Sequence, residues 1–198
     1  MLRTYLTFSS VIFFLFLMGS VFAQNTQTIQ SIQMSVHGTS TIHDWTSEVT
    51  DIKGSASLDV ADGKLIGISA LSIKVKVEGI ESSKGRIMDN KTYKALESKD
   101  HPYIKFNLAV AKITPKGDKL NIVANGPLTI AGSTKTVQIA AIGTYQGGSL
   151  HFSGSKDLKM TDFGIDPPTA MLGTLKTGDD ITIDFSLVLD TAGNSSSR

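Results

Sequence analysis

The sequence contains no cysteine. That excludes a disulfide framework, a thiolate metal site and the lipidated cysteine of an N-terminal anchor. Nor does one sign of charge dominate, because 19 basic residues stand against 18 acidic ones. A balanced chain without a basic stripe argues against nucleic acid as a partner and against strong electrostatic docking on anionic lipid. Long apolar runs are missing too, apart from Val11 to Met18. This run is shorter than the roughly 20 residues that a membrane-spanning helix needs. With Arg3 before it and Val21-Phe22-Ala23 after it, it predicts a secretory signal over residues 1–23, cut after Ala23. A membrane anchor is the alternative. Cutting there removes one Arg and no acid, which leaves 18 charges of each sign and points to a periplasmic or secreted protein.

Catalytic spacing is equally scarce. Asp162-Phe163-Gly164 matches the magnesium-holding triplet of protein kinases, but the glycine-rich loop, strand lysine and catalytic loop of a kinase are absent. The physical alternative is a loop in which Asp162 hydrogen-bonds locally and takes no magnesium. Phe163 then turns inward, Gly164 permits a bend, and Pro167-Pro168 stiffens the exit. Gly132 to Lys135, "GSTK", lacks the spacing of a phosphate loop and reads as a hairpin turn. His37, His43, His101 and His151 could bind zinc with Asp44, yet none shows the spacing that puts two ligands on one face, so no metal is expected. No G-x-S-x-G elbow places a nucleophile. The chain reads as a non-enzyme with no cofactor.

What the sequence has is alternation. In "LSIKVKVE", Leu71, Ile73, Val75 and Val77 point one way and Lys74, Lys76 and Glu78 the other. The same pattern recurs at Ala56-Leu58-Val60, Ile104-Phe106-Leu108-Val110, Val137-Ile139-Ala141 and Ile181-Ile183-Phe185-Leu187-Leu189. Turn signals separate these runs: Asp62-Gly63, Pro115 to Asp118, Gly132-Ser133, Gly147-Gly148 and Gly178-Asp179-Asp180. The pattern predicts an all-β, antiparallel, up-and-down meander of about eight strands, closing into a barrel with room for one ligand. A two-sheet sandwich is the competing fold.

Two segments break the meander. In 79–101, Asp89 or Asn90 is expected to cap a short helix that carries Tyr93, Ala95 and Leu96. The other runs from Thr161 to about Lys176 and should cover the barrel mouth. One domain is expected over 24–190, with a disordered tail at 191–198. Small residues at inward positions, Gly54, Ala56, Gly67 and Gly154, are expected to leave the interior under-filled.

"STIHDW", "SIKVKV", "MDNKTYKALESKDHPYIKF", "GPLTIAGSTKTVQI" and "LKMTDFGIDPPTAMLGTLKTGDDITIDFSL" together resemble the YceI-like family over nearly the whole mature chain. That resemblance implies a lipocalin-like barrel that encloses a polyisoprenoid or similar long-chain lipid, with the segment around Met88 to Leu96 helping to close it. By the same resemblance Arg86 matches the arginine of the family's H-x-x-R-D-x-H-L run, although Ile87 and Asp89 replace its aspartate and second histidine. His43 and Arg86 are the expected head-group contacts. The expected hydrocarbon contacts begin with Trp45, Ile73, Val75, Met88 and Leu96. Phe106, Leu108, Ile130, Ile139 and Phe152 continue them along later strands, and Phe163, Met171 and Leu172 supply a lid. The membrane enters only as a source of lipid, and a homodimer stays open. Two rival readings remain: a hydrolase or isomerase using His43 and Asp44, and a structural module whose own side chains fill the core.

Overall fold

The computed structural model describes residues 26–62 and 64–190. The expected signal segment, 1–23, and tail, 191–198, lie outside the described residues.

The alternating runs form β1 (Thr26–Thr28), β2 (Ser31–Ser40), β3 (Trp45–Val49), β4 (Ile52–Ala61), β5 (Lys64–Lys76) and β6 (Ile80–Ser82). After helix α1 (Arg86–Ala95) come β7 (Tyr103–Asn107), β8 (Val110–Lys116), β9 (Lys119–Ile130), β10 (Ser133–Gln146), β11 (Ser149–Lys159), β12 (Thr169–Ala170) and β13 (Leu175–Asp190). Several are pieces of one longer stave. β1 with β2, β3 with β4, β5 with β6 and β7 with β8 make four staves, 26–40, 45–61, 64–82 and 103–116; β9, β10, β11 and β13 make the other four. Each stave pairs antiparallel with the next, and β13 returns to the first, with Val188 opposite Ser31 and Ile181 opposite Gly38. The sheet is a single up-and-down barrel of the expected kind, and its continuity rules out the two-sheet sandwich. Closure satisfies edges that an open meander would expose.

The first two staves meet above and below a seam. Thr28 faces Ser55 and Ser35 faces Glu48 in the same register, while 29–34 and 49–54 share no ladder pair among the described residues. Ile29 and Ile32 fill the seam. A Cβ on Gly54 would lie 2.6 Å from Ile29 Cδ1 and 3.0 Å from Ile32 Cδ1. The expectation that Gly54, Gly67 and Gly154 leave empty interior space is therefore corrected. Gly54 admits these isoleucines, Gly67 sits against the Asp59 carboxylate and Gly154 lies against the Phe185 ring.

One end of the barrel is closed by its own side chains. Leu150 and Leu189 are 0% and 2% exposed, with Phe152, Leu120 and Leu58 packed around them. Full burial of each leucine contributes roughly 1.5–3 kcal/mol. Tyr145 reaches across this end, its Oη accepting a 2.6 Å hydrogen bond from Leu65 N–H. The hairpin turn here is Gly147-Gly148, with φ of 58° and 85°, a left-handed pair suited to a two-residue connection.

The opposite end is covered by two non-strand segments. α1 begins at Arg86, earlier than the expected cap, because Gly85 turns the chain at φ 78°. Asp89 lies in its first turn and accepts a hydrogen bond from Ser82 N–H at 2.7 Å. The second cover is the 3-10 turn Thr161–Phe163, which ends on left-handed Gly164. Among the described residues Asp162 makes no hydrogen bond within this loop, contrary to expectation; it is exposed and forms an ion pair with Lys135 at 3.8 Å. Asp179 fastens the loop instead, accepting hydrogen bonds from Thr161 N–H at 2.8 Å and Thr161 Oγ1 at 2.6 Å. The expected turn at Gly178-Asp179-Asp180 is a register shift inside β13, which presents that carboxylate to the loop.

Two outcomes follow. A side chain at Gly126 would run into the carbonyl oxygen of Asn107, where β7 passes into β8. Gly126→Ala should lower the unfolding free energy by about 2 kcal/mol in urea titration, and an unchanged midpoint would contradict the packing. The hydrogen bonds from the Thr161 side chain and then its backbone hold the Asp179 carboxyl below the usual range. A depressed folded value means that the fastening is present above the ordinary carboxylate range and is lost as pH falls through that folded value. Asp179→Asn should therefore show, at neutral pH, the faster amide exchange over 161–165 that the parent shows only in acid, after correction for intrinsic rates. Equal protection in both proteins at every pH would refute it.

Candidate functional site

Between the packed end and the covers, the barrel holds two adjoining compartments. The inner one has a volume of about 140 Å³. Its wall includes Ala56, Ala124 and Ala141, whose short side chains stop well before the axis, and larger residues such as Ile73, Phe106 and Leu187. The mouth compartment has a volume of about 390 Å³. Met34, Val75, Ile104, Leu128, Leu158 and Ile183 line both and mark a waist where the two spaces adjoin.

The mouth is roofed by α1 and the 160–168 loop. Met88, Lys91, Thr92 and Ala95 recur at helical spacing and turn one face of α1 to the cavity, while Ile87 on another face is 77% exposed. The helix is anchored by Tyr93, whose hydroxyl donates to Glu78 O at 2.9 Å. Burial, then the carboxylates of Asp89, Glu81 and Glu78, push the Tyr93 phenol above its ordinary value. From the loop, Phe163 is 3% exposed and lies with Met160 and Ile165 over the opening. Trp45 forms the rim, its indole N–H donating to Thr39 O at 3.0 Å.

The structure gathers most of the expected residues around these spaces. Ile73, Phe106, Leu108, Ile139 and Phe152 line the inner compartment, and Val75 lines the waist. His43, Trp45, Met88, Leu96, Ile130 and Phe163 line the mouth. Two expectations are corrected. Arg86 is exposed and lines neither compartment, because it lies two residues, or about 200° around the helix, from Met88. Leu172 is fully exposed, since a left-handed backbone (φ 54°) turns its side chain to solvent. The side chain of Met171 lies outside the described residues. Asp44 is exposed and does not join His43 in lining the cavity.

Sequence reading missed Lys156, Met160 and Ile183 as liners. The signal was present. Leu150, Phe152, Gly154, Lys156, Leu158 and Met160 fall on alternate positions of one run, so the inward row could have been continued through the lysine. Among the described residues, no cluster of three or more His, Cys, Asp or Glu forms a metal site, and no helix is long and apolar enough to cross a membrane.

Comparison with known proteins adds to this geometry. The chain is similar to BcnA of Burkholderia cenocepacia, at 18% identity and a TM-score of 0.63 over 79% of this chain and 95% of that one. It is similar to a polyisoprenoid binding domain from Saccharophagus degradans implicated in plant cell wall breakdown, at 9% identity and a TM-score of 0.62, covering 85% of this chain and 99% of the other. The YCEI protein of Campylobacter jejuni aligns at 18% identity with a TM-score of 0.58, over 73% and 83% of the two chains. Identities this low establish the shared fold alone. A search of curated proteins found no match. The model of the YceI-like domain matches residues 24–189, and the chain therefore belongs to the YceI-like family.

Proposed function

We propose that the mature chain is an exported binding protein that encloses a polyisoprenoid or similar long-chain lipid in its barrel, as a carrier or sequestering protein. The observation that carries this reading is the pair of adjoining apolar compartments roofed by α1 and Phe163. A hydrocarbon there gains roughly 0.3 kcal/mol per heavy atom after the costs of binding. About 20 seated carbons then give about 6 kcal/mol and about 40 give about 12 kcal/mol, a range from tens of micromolar to nanomolar dissociation constants. No reacting group is needed for that. Membership in the YceI-like family and the likeness to a polyisoprenoid binding domain support the choice of ligand. Export to the periplasm rests on the apolar N-terminal segment. The enzyme reading needs His43 and Asp44 to converge on the cavity, and only His43 lines it.

Native mass spectrometry of the natively purified protein should reveal a bound hydrocarbon-rich molecule that organic solvent extracts. Ile183→Trp, which places a large ring at the waist, should weaken loading at least roughly tenfold while the barrel still folds. Failure to find or load any long-chain lipid, in protein shown to be folded, would count decisively against the reading.

A further inference from the structure

Among the described residues three polar side chains are buried, those of Ser47, Ser57 and Ser98, and only Ser47 lines a compartment. It is 3% exposed and stands on the inward row of β3 between Trp45 and Val49, both of which line the mouth. Its ladder partners, Val36 on β2 and Ser82 on β6, line the mouth as well. A serine oxygen sits one bond beyond Cβ and cannot swing away to solvent as the head of a long side chain does. On an inward row it stays at the cavity wall.

The Ser47 hydroxyl has no hydrogen-bond partner among the described residues. Other hydroxyls of the mouth are engaged. Ser40 Oγ donates to His43 O at 2.7 Å, and Ser82 Oγ accepts from Lys84 N–H at 3.1 Å, which leaves Ser82 its own proton to donate. Size does not explain a serine at 47, since the inner wall meets its need for small residues with Ala56, Ala124 and Ala141. A buried hydroxyl without a partner carries a cost that alanine would not.

Ser47 and Ser82 are directly opposed, and Cβ atoms so placed stand about 4.5–5.5 Å apart. One oxygen between them lies within reach of both hydroxyls, and a carbonyl oxygen has two lone pairs with which to accept. No Asp or Glu lines the mouth, so its polar side chains are all able to donate and the complementary ligand group is an acceptor. Two neutral hydroxyls at a buried wall suit an uncharged acceptor, because an anion would give up far more hydration there.

We propose that Ser47 and Ser82 together receive an uncharged carbonyl oxygen, which seats the polar end of a long-chain lipid in the mouth beneath α1. The proposal rests on the lipid-binding reading and deepens it by naming the polar group and its partners.

The test uses delipidated protein and two probes of matched shape, 2-octadecanone and octadecane, with affinities from displacement of an apolar fluorophore. Ser47→Ala should lower the ratio of ketone to alkane affinity roughly fivefold, the scale of one hydrogen bond. Ser82→Ala should lower it too, and Ser47→Thr, which keeps a hydroxyl, should preserve it. With carbon-13 at the carbonyl, the infrared stretch of bound 2-octadecanone should lie below its position in hexane and move back towards it in Ser47→Ala. Without ligand, Ser47→Ala should withstand urea at least as well as the parent, because no bond within the protein is lost. An affinity ratio or carbonyl band unchanged in folded Ser47→Ala overturns the proposal. So does a parent band at the hexane position, or a loss of stability in unliganded Ser47→Ala. Binding of neither probe to folded parent would instead strike at the lipid-binding reading itself.

Discussion

Closing eight antiparallel staves into a ring forces every second side chain towards one axis, and the size of those side chains decides whether the ring is a core or a container. A barrel of this strand number stands at the boundary, with an interior that large residues fill and small ones leave open. At one end Leu150, Leu189 and Phe152 meet and shut it. Beyond them the wall passes through Ala56, Ala124 and Ala141, whose methyl groups cannot reach one another across the axis. The same backbone is therefore packed solid at one end and hollow from the inner compartment to the mouth.

The hollow part needs a roof that the strands cannot supply. α1 and the 160–168 loop provide it in different ways. The helix is held at its edges, by the Tyr93 hydroxyl on Glu78 O and the Asp89 carboxylate on Ser82 N–H, and it buries no residue completely. The loop buries Phe163 and hangs on Asp179 through two hydrogen bonds from Thr161. Both attachments are polar and near solvent, so the roof is fastened less firmly than the packed end, where burial is apolar and complete. A roof held in this way suits ligand entry from the mouth rather than through the shut end.

The barrel was legible in the sequence because the period of two in runs such as Leu71 to Val77 has one physical cause, a wall with one wet and one dry face. Hairpin turns such as Gly147-Gly148 were legible because their left-handed backbone favours glycine. What stayed hidden depends on contacts between distant parts of the chain. Gly178-Asp179-Asp180 has the composition of a turn, yet pairing with β2 and β11 carries β13 through it. Gly54 and Gly154 look like empty volume until Ile29, Ile32 and Phe185 are seen lying against them. Arg86 and Leu172 failed as site residues because their direction is set by helix phase and backbone handedness, which spacing along the chain does not reveal. Lys156 was overlooked for the opposite reason. Its inward phase was readable, but a charge on an apolar row was not taken as a member of the row.

The central claim is physical: beyond the leucine-packed end, the inside of this barrel is largely apolar space that its own side chains do not fill. Dry apolar cavities of this kind admit xenon. Crystals of delipidated protein under xenon pressure should show the heavy atom in the inner compartment, beside Phe106 and Ile73, and again beneath Phe163 in the mouth. Diffraction showing neither site occupied, with side chains in contact across the axis from Leu150 to Phe163, would contradict the account.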